Sequence, residues 1–186
     1  MDIKINPHNH RYGGQLERAV WFYSLALMGA RMTNKLTIRI RTKDLISDTS
    51  TSPRIGECML DTNGCEPQRD FVINVEKTLD NGQMISILAH EMTHVQQKVR
   101  NRMQLRDDPN DENITVTRWE GKTYRSDHRL SEASFPWEIE AVETAENLMA
   151  KYVSFLETCV EKGKFVHPLD FMQDTPLTVT PAPSFS

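Results

Sequence analysis

The chain has 186 residues, of which 38% are hydrophobic and 26% charged, and its formal net charge is -4. This size suits one domain with a real core, and the composition argues against a wholly disordered chain. The balance of charge lacks the Lys and Arg excess that phosphate recognition requires, so nucleic acid is not an expected partner.

The N-terminus, Met1 to Pro7, has neither the apolar stretch nor the small-residue cleavage site of a secretory signal, and no run approaches membrane-spanning length. The expectation is a cytoplasmic chain with no membrane partner. Cys58, Cys65 and Cys159 cannot all pair within one molecule, which favours reduced thiols over a disulfide framework. His8 and His10 read as part of a polar N-terminal segment.

From Gln15 to Met32, Leu16, Val20, Tyr23 and Leu27 fall on one face of a first helix, which is expected to cover a sheet. Lys35 to Thr42 alternates apolar and charged residues, so Leu36, Ile38 and Ile40 face inward along a half-buried strand. Ser47 to Pro53 reads as a loop. Cys58 to Leu60 and Phe71 to Val75 then form a hairpin around the turn signal Asp61-Thr62-Asn63-Gly64, with Asn81-Gly82 closing it. Cys58 and Cys65 are expected to pack in that hairpin. Met84 to about Met103 reads as a long amphipathic helix.

Asp107 to Asp111 reads as a loop, and Ile114 to Tyr124 as a second hairpin turning at Glu120-Gly121. Pro136 suits the first turn of a third helix that continues to about Val160. Residues 1–162 are expected to form the domain. Residues 163–186 form a Pro-bearing tail without helical or strand period, on which Phe165, Leu169, Phe171 and Met172 are positioned to dock and whose last dozen residues read as extended or disordered.

The middle helix carries His90-Glu91-Met92-Thr93-His94, which places two imidazoles one turn apart beside a carboxylate, as a hydrolytic zinc ion needs. Met84, Leu88, Met92, Val95 and Val99 form its apolar stripe. At about 100° per residue, His90 and His94 project roughly 140° away from that stripe and face a different neighbour. Met92 and Thr93, between the histidines, carry no charge.

A catalytic zinc also needs a third protein ligand and an open position for water. The downstream candidates are His128, Glu132, Glu138, Glu140, Glu143 and Glu146. Along the third helix Val142, Ala145, Met149, Val153 and Leu156 read as the apolar face, with Glu138 at its head and Glu140 on the opposite side. A carboxylate aligned with a buried face is costly unless it is paired, and a metal is one such partner. That selects Glu138.

The motif followed by Pro136-Trp137-Glu138-Ile139-Glu140-Ala141 resembles the gluzincin zinc peptidases, whose third ligand is a glutamate three residues before an alanine on a later helix. Together with Trp119-x-Gly121-Lys122-x-Tyr124, it is similar to small uncharacterised metallopeptidases common in bacteriophage genomes. The resemblance covers roughly Phe71 to Met149. It implies an α+β zincin-like fold, with a small twisted, mostly antiparallel sheet, and a host-cytoplasmic setting for a phage-encoded chain. Val142 stands where related peptidases carry an aspartate, which leaves the usual hydrogen-bond partner of a histidine ligand unassigned.

The activity expected on this basis is zinc-dependent hydrolysis of peptide bonds in a peptide or protein substrate. His90, His94 and Glu138 would hold Zn2+, and Glu91 would serve as general base toward a zinc-activated water. Tyr124 ranks first, ahead of His128 and Arg129, as a donor to the developing oxyanion. An edge strand before the motif helix would suit an extended peptide. The alternative is a zinc-containing, peptidase-like module that binds a host or virion protein without turnover. Retention of Glu91 favours the enzyme, because a structural zinc needs no base.

Overall fold

The computed structural model describes residues 1–5, 13–46, 55–60, 69–108, 111–125 and 132–174. The order is β1 (Asp2–Ile5), α1 (Gly13–Thr33), β2 (Thr37–Lys43), β3 (Gly56–Leu60), β4 (Asp70–Glu76), α2 (Asn81–Val99), β5 (Met103–Asp108), β6 (Asp111–Trp119), β7 (Lys122–Arg125), a 3-10 turn (Glu132–Ser134), α3 (Pro136–Glu161) and α4 (Pro168–Asp174). The fold is α+β, with a small mixed sheet, a separate three-stranded sheet and four helices among the described residues.

The main sheet has the order β1-β2-β4-β3. β3 and β4 pair antiparallel, as the hairpin reading requires, whereas β1 with β2 and β2 with β4 run parallel. This corrects the expectation of a mostly antiparallel main sheet. For β1 and β2 the cause is connectivity: α1 carries the chain from β1 back to the start of β2, and a crossover helix leaves its flanking strands parallel. The second sheet, β5-β6-β7, is antiparallel throughout.

Ile38 and Ile40 of β2 join Phe71, Ile73 and Val75 of β4 in the main core, while Arg39 and Arg41 alternate to the other face. Leu16, Val20, Tyr23 and Leu27 of α1 are buried in the same core as their spacing predicts, although the helical pattern is broken at Gly29. β5 occupies residues that read as helix end and loop. α2 stops at Val99, and Asn101 adopts a positive φ of 59° before the strand begins. The second hairpin turns at Glu120-Gly121, with φ of 47° and 89°, the mirror-image turn in which a glycine is favoured.

The segment after α3 also departs from its reading, because Pro168–Asp174 form a helix. Val166 and Phe171 are buried in the main core, with Met172 partly buried against it, and Phe165 stacks on Trp21 at 6.2 Å. The loop at Ser47–Pro53, the turn at Asp61–Gly64 and the residues after Asp174 lie outside the described residues, as do His8, His10 and Cys65. No helix among the described residues is long and apolar enough to cross a membrane.

Candidate metal centre

The motif helix starts three residues earlier than its periodicity suggests, because Asp80 and Gln83 form a capping box. Gln83 N donates to Asp80 Oδ1 at 2.8 Å and Asp80 N to Gln83 Oε1 at 2.9 Å. Asn81 and Gly82 therefore lie in the first turn of α2 rather than in a turn that closes the hairpin. Met84, Leu88, Met92 and Val95 are buried in the main core as the stripe requires. Burial continues around the helix at the motif, where Glu91 is 5% exposed, Thr93 0% and His94 8%. Thr93 is satisfied within the helix, its Oγ1 donating to Ala89 O at 3.1 Å.

α3 delivers the third group. Pro136 opens the helix after Phe135. Phe135 stacks on Trp137 at 4.5 Å, and Trp119 and Tyr124 pack against Trp137 at 6.3 and 5.4 Å, so a small aromatic core fixes the start of the helix. Arg102 adds a polar clamp. Its Nη1 and Nη2 donate to Glu140 Oε1 and Oε2 at 2.6 and 2.7 Å, its Nε and Nη2 donate to Glu120 Oε1 at 2.8 and 2.6 Å, and its guanidinium lies 4.6 Å above the Trp119 ring.

The apolar face of α3 differs from its reading. The buried residues are Trp137, Ala141, Ala145, Leu148, Tyr152 and Phe155, while Val142 and Val153 are 50% and 47% exposed. Glu138 and Glu140 therefore flank the buried stripe on its two sides. Glu140 does not face open solvent, as the opposite-side reading implies, but turns to Arg102. Glu138 turns to α2.

His90, His94 and Glu138 come together: His90 Nε2 is 3.2 Å from Glu138 Oε2, His94 Nε2 is 3.4 Å from Glu138 Oε1, and the two Nε2 atoms are 3.1 Å apart. Among the described residues these three form the group able to hold a metal ion. The side chains of His90 and Glu138 are 24% and 23% exposed against 10% for His94, so the cluster is backed by protein and open on one side.

His94 is held from behind by Gln97, whose Oε1 lies 2.8 Å from His94 Nδ1 and whose Nε2 donates to Trp137 O at 3.0 Å. Sequence reasoning missed this fully buried glutamine, although its place three residues after His94 puts the two on one helix face. Gly56 at the start of β3 is a second omission. A Cβ built on it would stand 2.5 Å from Glu91 Oε1, so the backbone of β3 closes directly over that carboxylate.

The charges follow from this packing. Burial raises the pKa of Glu91 above the ordinary carboxylate value, against the pull of His94, His90 and Lys98. Burial would raise Glu138 too, but hydrogen bonds from His90 and His94 outweigh it and hold the carboxylate at about 2. Burial alone would lower His94, yet the Glu138 hydrogen bond and charge raise it. The arrangement is that of an anion facing two imidazoles, a group that could hold a metal ion.

Tyr124 belongs to the aromatic core beside Phe135 and Trp137. His128, Arg129 and the side chain of Glu132 lie outside the described residues. Cys58 is a free thiol on β3, and burial pushes its pKa up to about 11. Comparison with protein-family models, curated proteins and solved structures finds no match for this chain.

Proposed function

We propose that the protein is a zinc-dependent peptidase in which His90, His94 and Glu138 bind the metal and Glu91 is the general base. The observation that carries this reading is the convergence of three ligand atoms at 3.1, 3.2 and 3.4 Å with a buried carboxylate on the same helix. Tetrahedral zinc at ligand distances of about 2.0–2.2 Å needs donor atoms about 3.3–3.6 Å apart, close to these separations. Two imidazoles, one carboxylate and an open side also match a catalytic rather than a structural zinc. Bound there, zinc supplies Lewis acidity toward a water and the scissile carbonyl.

The chain's own residues divide the remaining work. Glu91, with its raised pKa, is suited to accept the proton of the attacking water and to return it to the leaving amine. Among the described residues β3 is an edge strand, and Glu76 N donates to Ile55 O at 3.0 Å, so the alternation of an antiparallel ladder turns the backbone groups of Gly56 and Cys58 away from β4. An extended peptide laid along that edge would pass beside Glu91. Lys98 Nζ already donates to Cys58 O at 2.6 Å, so peptide and lysine would share that carbonyl.

The test measures zinc stoichiometry and compares cleavage of an unstructured protein mixture by wild type and Glu91→Gln. One equivalent of zinc with cleavage lost in the variant is expected. One equivalent of zinc with no Glu91-dependent cleavage would instead make the chain a metal-containing binding module, and absence of bound metal would defeat both readings.

A further inference from the structure

We infer that Gln97 is the positioning residue of the metal centre: it fixes His94 as the Nδ1–H tautomer and ties that imidazole to the backbone that carries Glu138. The inference rests on the metal-site reading above and adds a residue outside the motif. The Trp137 carbonyl oxygen can only accept, so the Gln97 atom 3.0 Å from it must be the amide nitrogen. The other end of the amide is then oxygen. That oxygen lies 2.8 Å from His94 Nδ1, and since it too can only accept, Nδ1 must carry the hydrogen.

A neutral imidazole protonated at Nδ1 has its lone pair on Nε2. His94 Nε2 is the atom that faces His90 Nε2 and Glu138 Oε1. The amide orientation, read from a backbone carbonyl on α3, thus decides which nitrogen on α2 is free to bind a cation. Gln97 is 0% exposed, so water does not compete for either end of the relay.

The relay also has a mechanical side. Trp137 immediately precedes Glu138, so one side chain connects a ligand on α2 to the backbone beside the ligand on α3. Loss of the relay leaves an imidazole free to turn, and removal of such an outer partner typically weakens metal binding by about 10–100-fold.

The experiment uses the full chain, wild type and with Gln97→Met and Gln97→Glu. Long-range 15N–1H NMR of the wild type is expected to show a hydrogen on His94 Nδ1 toward Gln97, with Nε2 also protonated toward Glu138 in the zinc-free protein and without its hydrogen once zinc is added. Gln97→Met, of similar volume but without the acceptor, is expected to leave the Nδ1 hydrogen unheld and to raise the zinc Kd, measured by competition with a chelator, by about 10–100-fold. Gln97→Glu keeps an acceptor toward Nδ1 and is expected to hold that hydrogen again. A wild-type His94 without a hydrogen on Nδ1, or an unchanged Nδ1–H signal and zinc Kd in folded Gln97→Met, would overturn the inference. The wild-type spectrum needs no variant to fold, and it remains informative if zinc or peptidase activity fails. That separates failure of Gln97's role from failure of the proposed function.

Discussion

Gly56 on β3 leaves no space for a side chain beside Glu91, since a Cβ there would lie 2.5 Å from Glu91 Oε1 and 2.5 Å from Ile87 Cγ2. The glycine is required by proximity. Gly56→Ala is therefore expected to push the Glu91 carboxylate away while leaving His90, His94 and Glu138 in place. A displacement near 1 Å at a reacting group costs about a hundredfold in rate. Steady-state cleavage kinetics together with zinc stoichiometry check this: kcat should fall by about that factor with one equivalent of zinc retained. Full activity in Gly56→Ala would show that β3 does not position the base.

Glu91 should also weaken the fold that contains it. Burial places its folded pKa above the unfolded value. A group raised in this way stabilises the fold at pH below the unfolded value, and that contribution is lost as pH rises through the folded value. At neutral pH the carboxylate is thus a burden that Glu91→Gln removes. Thermal melts of the zinc-free proteins should show the variant more stable at pH 7, by about 2–4 °C for each kcal/mol released in a chain of this size, with the gap closing toward about pH 4. A variant less stable than wild type at neutral pH would contradict the burial argument.

Much of this site was legible in the sequence for identifiable reasons. The α2 stripe is correct because Met84, Leu88, Met92 and Val95 are large, apolar and regularly spaced. The α3 stripe was misplaced because pattern counting weights Val142 and Val153 like Tyr152 and Phe155, whereas aromatic rings bury more area and claim the core. Glu138 is in phase with the expected stripe and at the edge of the observed one, and from that edge it still turns toward α2. β5 escaped notice because Gln104, Arg106, Asp107 and Asp108 hide any strand alternation, and only pairing with β6 makes Met103–Asp108 extended. β1 is four residues long and depends on parallel pairing with β2 across α1, a contact that local pattern does not encode.

The metal cluster should give the zinc-free protein a bell-shaped pH dependence of stability. Glu138 is depressed to about 2 from the ordinary carboxylate value of 4.5, so its contribution is present above about 4.5 and lost as pH falls through about 2. His94 is raised above the ordinary imidazole value of 6.5, so its contribution is present below about 6.5 and lost as pH rises through the folded value. Denaturant melts of chelator-treated wild type and Glu138→Gln should differ most between about pH 4.5 and 6.5 and converge on either side. Added zinc should reverse the high-pH trend, because metal binding requires deprotonated ligands and tightens as pH rises. A difference between the two proteins that does not vary with pH would exclude the His94–Glu138 interaction as its source.

Arg102 connects the second sheet to the helix that carries Glu138, through paired hydrogen bonds to Glu140, others to Glu120 and a face-on contact with Trp119. Its side chain is 29% exposed, so these contacts are only partly screened. Arg102→Ala is expected to cost about 1.5–3 kcal/mol, the range for hydrogen bonds to charged groups. Arg102→Lys should recover only part, because an ammonium cannot reproduce the planar fork. Since Glu140 is two residues beyond Glu138 on α3, a looser first turn should also weaken zinc binding in the same order: wild type, Lys, Ala. Urea melts give the stability series and chelator competition gives the zinc series. If stability falls while zinc affinity stays constant across the three proteins, Arg102 supports the sheet without tuning the site.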